Sequence, residues 1–305
     1  MPTPRSRPAA AAAAGARRPA RRRTAVSGAD LDVAITHPDK VLFPDDGLTK
    51  GELAAYYGAV AGVMVPHLRG RPITLERYPN GLGSKGFIQK SVVRGQPAWL
   101  ARITAPKEGG VVHYASAPDD RSLQWIANQN TITLHVWPSR APALARPDLC
   151  VIDLDPSTDD PARLRAVMAS LRDVLTALKR PAWVKTSGSK GFHVVLPMGA
   201  RASFARSAEL SARIAERLVE ARPDDVTREF HKVKRGDRIY IDTARNRMGA
   251  TFAAAYTVRA RPGAPVSAPC TWDEVASGAA LPQTFRLRTM AARLAQVGDL
   301  WGGLL

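Results

Sequence analysis

The chain has almost no cysteine. Cys150 and Cys270 are its only two, far apart and in no C-x-x-C pair, which argues against a structural zinc site and suits a reduced, cytoplasmic protein. Cys150, inside an apolar run, reads as a small core residue. Long hydrophobic runs are missing too. The longest, Leu53 to Val65, falls short of the ~20 residues a spanning helix needs, so no membrane segment is expected and that run reads as a buried helix. No loop has the Gly-x4-Gly-Lys spacing of a P-loop, which disfavours an ordinary NTPase. Residues 1–29 contain no acid and seven arginines, with no hydrophobic periodicity. That Ala/Arg/Pro-rich stretch is expected to be a disordered basic tail, and its alanine run is too weakly apolar for a secretory signal.

What remains is an ordinary soluble composition with an excess of positive charge. The 305 residues are 45% apolar and carry a net charge of +17, of which the tail supplies +7 and the body +10. A basic folded body can be shaped into a groove for polyphosphate, and nucleic acid is the partner such a balance points to. There is no internal repeat and no second linker, so residues 30–305 are expected to form one domain.

Thr49 with Glu52 three residues on is a capping-box pattern ahead of the Leu53–Val65 helix. Asp160-Pro161 opens a second helix with an apolar stripe at Leu164, Val167, Met168, Leu171, Leu175 and Leu178. Leu210, Ile214 and Leu218 mark a third, closed by Arg222-Pro223. Strands are expected at 149–154, 183–186, 192–196, 239–242 and 252–258, the last two as neighbours joined by a loop. Helices and strands do not strictly alternate, which predicts an α+β fold.

The chemistry concentrates in two short segments. In V-I-D-L-D-P, Asp153 and Asp155 are two residues apart and share one face of a strand. The flanking Val151, Ile152 and Leu154 bury that strand, so the paired acids need a cation or a basic partner. Asp242 ends the apolar stretch Ile239-Tyr240-Ile241 and can converge on the same spot. Hard oxygen donors in this pattern suit Mg²⁺ or Mn²⁺, and two such ions are a means of nucleotidyl transfer. The plainer alternative is that one aspartate only caps the turn at Pro156-Ser157.

Between the acids lies T-S-G-S-K-G-F-H. Its two glycines let backbone N–H groups turn toward a ligand, and Ser187, Lys190 and His193 offer donors for phosphate oxygens. A core histidine would be the ordinary reading of His193 alone. Around Asp242 stand Lys232, Lys234, Arg235, Arg238, Arg245, Arg247 and Arg259. Part of this run is a solvated face, while arginines beside the acids can neutralise a triphosphate.

Taken in order, D-L-D-P, T-S-G-S-K-G-F-H, I-D followed by R-N, and Y-T-V-R-A-R-P-G-A-P-V resemble the polymerase domain of bacterial DNA ligase D, of the archaeo-eukaryotic primase superfamily. The likeness runs from about Thr36 to Phe285. It implies a primase-polymerase fold with mainly antiparallel central sheets flanked by helices. Asp153, Asp155 and Asp242 would bind two divalent ions, Mn²⁺ or Mg²⁺. Ser187, Lys190, His193, Arg235 and Arg259 would hold nucleotide phosphates, and His135, in L-H-V, would sit near the sugar. Lys40 and Lys50 would grip the 5′-phosphate across a DNA gap, and Phe87, in G-F-I-Q-K, would stack near the template break. His37 stands where the family commonly has asparagine, and a G-K-T-x-x-A-P-Y pattern is replaced by Gly249-Ala250-Thr251 and Ala254-Ala255-Tyr256. One basic contact is thereby lost, with Arg245 or Arg247 placed to compensate.

The implied function is template-directed extension of a DNA 3′-hydroxyl, preferring ribonucleotides, at gaps or double-strand-break ends in non-homologous end joining. The implied partners are gapped or 3′-overhanging DNA with a 5′-phosphate, NTPs or dNTPs, a Ku-type end-binding protein and a separate ATP-dependent ligase. With neither a ligase nor a nuclease domain in view, the chain resembles a stand-alone form, bacterial and nucleoid-associated. The alternatives are a non-catalytic module that bridges DNA ends, and a metal-dependent nuclease. The acidic triad is needless in the first and the Ser187–Gly191 loop in the second.

Overall fold

The computed structural model describes residues 33–92 and 95–304, so the basic segment of residues 1–29 lies outside the described residues. In chain order the first elements are β1 (Val41–Phe43), β2 (Leu48–Thr49), α1 (Lys50–Leu68), β3 (Ile73–Arg77), β4 (Phe87–Gln89), β5 (Arg102–Lys107) and β6 (Gly110–Ala115). There follow α2 (Asp120–Asn128), β7 (Thr131–Val136), β8 (Leu149–Asp155), α3 (Pro161–Ala177), β9 (Trp183–Thr186), β10 (Phe192–Pro197) and α4 (Phe204–Ala221). The chain closes with β11 (Val226–Thr227), β12 (Ile239–Asp242), β13 (Phe252–Ala253), β14 (Pro269–Cys270), α5 (Trp272–Ser277) and α6 (Met290–Val297).

Two six-stranded sheets organise these elements. The first has the order β11-β12-β8-β10-β9-β14, antiparallel except where β11 runs parallel to β12. The second has the order β13-β7-β3-β6-β5, with β4 also paired to β3, and is antiparallel throughout. The fold is therefore α+β, with mainly antiparallel sheets. No helix among the described residues is long and apolar enough to cross a membrane.

The capping box at Thr49 forms: its hydroxyl accepts from the Glu52 N–H at 3.2 Å, and the Glu52 carboxylate accepts from the Thr49 N–H at 2.9 Å. The helix it opens has apolar residues on all sides, as a helix buried within a core requires. Its Tyr56 and Tyr57 hydroxyls donate to the Tyr256 and Ile132 carbonyls at 2.7 and 2.6 Å, tying α1 to both later segments. Asp160 caps α3, whose stripe Leu164, Val167, Met168, Leu171 and Leu175 is buried as its spacing predicts. The α4 helix lies against β8, and α3 packs on α4.

Two expectations need correction. The strand foreseen at 252–258 is only Phe252–Ala253, and past it the chain turns, with Tyr256 at a φ of 65°. Nor are β12 and β13 neighbours, since β12 pairs with β8 in the first sheet and β13 with β7 in the second. A break at Thr243–Thr251 carries the chain from one sheet to the other because Asn246 is drawn inward. Its side-chain amide donates to the Val151 carbonyl at 2.7 Å and accepts from the Val151 N–H at 2.8 Å. That side chain takes over a strand's backbone bonding where β12 has ended. The two sheets are also joined by Arg71, just ahead of β3, which is 1% exposed and grips Asp148, just ahead of β8, through two bonds of 2.7 and 2.6 Å.

Candidate active site

Alternation along β8 separates its two faces. Cys150, Ile152 and Leu154 face the helices, and the Cys150 thiol meets the Ser207 carbonyl of α4. Asp153 and Asp155 face the other way. Across the sheet, Asp153 is the register partner of Asp242 on β12 and of His193 on β10, and His193 is in turn the partner of Lys185 on β9. Directly opposed residues of antiparallel strands point to one face. Asp242, Asp153, His193 and Lys185 thus form one row across four strands, with Asp155 two residues along.

Asp153 and His193 of this row, with Asp155, line a cleft of about 360 Å³ between the two sheets; Asp242 and Lys185 do not line it. The first sheet contributes Asp153, Asp155, His193 and the loop Ser187–Gly191. The second contributes Thr74, His135 and Ala253, which are themselves in register on β3, β7 and β13. Arg245, Arg259 and Lys190 bring positive charge to the same opening.

Burial pushes the Asp153 carboxyl up to about 6, with Asp242 and Asp155 adding to the rise and Arg245 opposing it. The Arg245 guanidinium bridges the cross-strand pair, 3.1 Å from Asp242 and 3.6 Å from Asp153. Arg235 lies 3.7 Å from Asp155 and is held by the Glu229 and Phe230 carbonyls, with its guanidinium 3.9 Å from the Tyr240 ring. Arg247 does not line the cleft, so of the two arginines expected to compensate for the altered G-K-T segment only Arg245 is in place. Among the described residues no three acidic, histidine or cysteine side chains close into a ready-made metal cluster. The donor set nonetheless fits a hard divalent cation: three carboxylates share one sheet face, and one of them is hard to ionise without added positive charge.

The loop is shaped by its glycines. A Cβ on Gly191 would collide with the Leu154 carbonyl, so only glycine lets the loop lie against β8 beside Asp155. Gly188 has a φ of 64° and packs under Arg259. The Ser187 oxygen accepts from the Ser189 and Gly191 N–H groups, both at 3.1 Å, which leaves its own hydroxyl proton to offer a ligand. Arg259 donates to the Ser187 carbonyl at 2.6 Å, and Lys190 is exposed at the rim.

His135 faces Glu76 at 3.1 Å. Burial acts to raise the Glu76 carboxyl, but the histidine's hydrogen bond and charge outweigh it and hold the group down at about 2. Lys40, Lys50 and Phe87 gather elsewhere. Lys50 is 3% exposed and its ammonium donates to the Thr36 carbonyl and hydroxyl at 2.6 and 2.9 Å. Burial, then the charges of Lys40 and Arg77, lower its pKa. The Arg77 guanidinium lies 5.3 Å from the half-exposed Phe87 ring. This cluster meets the cleft through β4, whose Ile88 lines it. His37, at a φ of 50°, is exposed ahead of that cluster.

Sequence reasoning missed Glu76, Lys185 and Ser267. A charged residue inside the apolar strand W-V-K-T was the available signal for Lys185, and the alternating I-T-L-E-R for Glu76.

Facing antiparallel sheets, with carboxylates on one and a Gly-Ser-Lys loop at the mouth between them, make a frame of the primase-polymerase class of nucleotidyltransferases. The sequence matches the family described as LigD, primase-polymerase domain, over residues 49–301, and the chain belongs to that family. It is 34% identical over 273 residues to the multifunctional non-homologous end joining protein LigD of Mycolicibacterium smegmatis, covering 88% of this chain and 35% of that protein. To the bifunctional LigD of Bacillus subtilis it is 29% identical, covering 87% of this chain and 43% of the relative. The structure is similar to the polymerase domain of Mycobacterium tuberculosis ligase D solved in complex with DNA, with a TM-score of 0.84, 34% identity, and coverage of 90% of this chain and 98% of that one. The chain spans about a third of the length of the first of these relatives.

Proposed function

We propose that this chain is a template-directed nucleotidyltransferase that extends a DNA 3′-hydroxyl at gaps or break ends during non-homologous end joining. The observation that carries this reading is Asp153 and His193 on adjacent strands, with Asp155 beside them, sharing one cleft with the Ser187–Gly191 loop, and Asp242 as the cross-strand partner of Asp153. Asp153, Asp155 and Asp242 would hold the divalent ions, Mg²⁺ or Mn²⁺. Such ions, when bound, supply a lowered pKa at the attacking hydroxyl and charge neutralisation at the departing pyrophosphate.

The chain's own residues do the rest. The Ser187 hydroxyl, Lys190, His193 and Arg259 are placed to bind the triphosphate from the loop side, and Arg245 and Arg235 offset negative charge next to the carboxylates. His135, oriented by Glu76, faces the cleft from the second sheet, where a sugar would lie. Lys40, Arg77 and Phe87 would form a phosphate- and base-binding surface that β4 connects to the cleft, suited to the 5′-phosphate side of a gap, and the buried Lys50 would have to leave its Thr36 bonds to join it. A ribonucleotide preference, a Ku-type end-binding partner and a separate ATP-dependent ligase belong to the same reading.

Primer extension on gapped DNA tests it, with the 5′-phosphate, the nucleotide sugar and the metal varied in turn. Lengthening that needs nucleotide and metal and vanishes in Asp155→Ala is expected. Retained extension by that variant would count decisively against the mechanism. The end-bridging alternative draws on the Lys40–Phe87 cluster and predicts binding with no change in primer length.

A further inference from the structure

Lys185 is fully buried, and among the described residues its side chain hydrogen-bonds to His193 and Ser267 and to no carboxylate. Burial pulls its pKa well down, and a buried amine with no carboxylate partner is costly, so its place in the row calls for a function. We propose that Lys185 is a positioning residue: by donating to Nδ1 of His193 it fixes that ring as the Nε2–H tautomer and makes it a hydrogen-bond donor to the cleft. The inference rests on reading the cleft as a nucleotide-phosphate site.

The hydrogen-bond roles follow from what each atom can do. The Ser267 hydroxyl donates to the Thr186 carbonyl at 2.8 Å, so its oxygen is what faces Nζ, and Lys185 is the donor there. The Nζ atom lies 2.7 Å from His193 Nδ1, and with Ser267 taking one of its N–H bonds the amine keeps another to donate to that nitrogen. From the other side, His193 Nε2 lies 3.4 Å from the Asp153 carboxylate, whose negative charge favours a proton on Nε2 over a bare lone pair. In that tautomer Nδ1 is free to accept from Lys185. The Phe252 ring packs over both groups, 5.8 Å from Nζ and edge-on to the imidazole at 6.1 Å. A neutral imidazole has a single N–H to give. Carried on Nδ1, that proton would be lost to a phosphate oxygen in the cleft.

Selective ¹⁵N labelling of histidine in the full chain, read by long-range ¹H–¹⁵N correlation, reports the tautomer directly and without nucleotide. The wild-type His193 is expected as the Nε2–H form, and Lys185→Met is expected to give a mixture of both forms. In primer extension Lys185→Met should raise the nucleotide KM about tenfold, the loss of one hydrogen bond to a charged group, with kcat less affected. In a His193→Ala background the same substitution should add nothing, because a residue acting through another is silent once that other is gone. A wild-type ring protonated on Nδ1 overturns the proposal even if Lys185→Met fails to fold. So does an equal effect of Lys185→Met with and without His193, the sign of a merely structural lysine. Absence of extension by the wild type, with the Nε2–H tautomer intact, would instead sink the polymerase reading.

Discussion

The two walls of the cleft are built on different terms. The first sheet brings acids together: Asp153, Asp155 and Asp242 crowd one face, offset by arginines at 3.1–3.7 Å and by Lys185. On its cleft side the second sheet pairs His135 with Glu76. One wall thus holds crowded like charge, the other a pair already made. Strain of like charge marks where a ligand acts, while internal pairing marks where a side chain is held still.

The comparison can be broken most sharply at the acidic wall. Asp155→Ala should reduce primer extension by about a thousandfold or more, since it removes a donor for the proposed ions. Thermal unfolding of the same variant should show little loss, because one of three mutually repelling carboxylates is gone. A large fall in Tm would mean that the acids serve the fold rather than a ligand.

Next in size is the tie between the walls. Arg71→Ala leaves Asp148, bonded also by Arg140, without its bidentate partner and should cost about 3–5 kcal/mol in denaturant unfolding. Arg71→Lys should recover only part of this, because the paired geometry needs a guanidinium.

The internally paired wall should declare itself in pH. The Glu76 carboxyl is held at about 2 against an ordinary value of 4.5, so its contribution to stability is full above pH 4.5 and is lost as pH falls toward 2. His135, whose pKa burial lowers from 6.5, acts in the same direction but from higher pH, since the unfolded ring takes up its proton as pH falls below 6.5. Unfolding curves of wild type and Glu76→Gln should converge between pH 5 and pH 2, the gap at neutral pH being about 2–3 kcal/mol. A gap that does not narrow would show that the pair is not what steadies His135.

The smallest expected effect lies on β4 of the second sheet. Phe87 is 45% exposed, so Phe87→Ala should change stability by no more than about 0.5 kcal/mol. Affinity for gapped DNA should nevertheless fall by about 1–3 kcal/mol if the ring stacks on a base.

How much of this was legible beforehand differs between the same two walls. The first sheet could be read strand by strand: 149–154, 183–186, 192–196 and 239–242 all form within a residue of expectation, because apolar strands with acids at alternate positions leave a period-two signature. Of the second sheet only Phe252–Ala253 was anticipated, within a longer strand foreseen at 252–258. Its members β3, β5, β6 and β7 carry Thr, His, Arg and Lys among their apolar residues, and half of β5 and β6 is solvent-facing, which blurs the pattern. The carboxylates, His193 and the loop were visible because such residues are conspicuous in apolar surroundings. Lys185 and Glu76 went unnoticed because one ionisable residue inside a strand announces nothing until its partner is known.

From the order of residues alone came the helix starts at Thr49 and Asp160, the pairing of Asp153 with Asp155 on a strand face, and the glycine loop, all of them consequences of spacing within a few residues. Only the folded chain decided that Asp242, Asp153, His193 and Lys185 align in one row, and that His135 faces them from a second sheet. Strand register is set by hydrogen bonds between segments far apart in the chain, Asp153 and Asp242 about ninety residues apart among them. No local pattern encodes which residue stands opposite which.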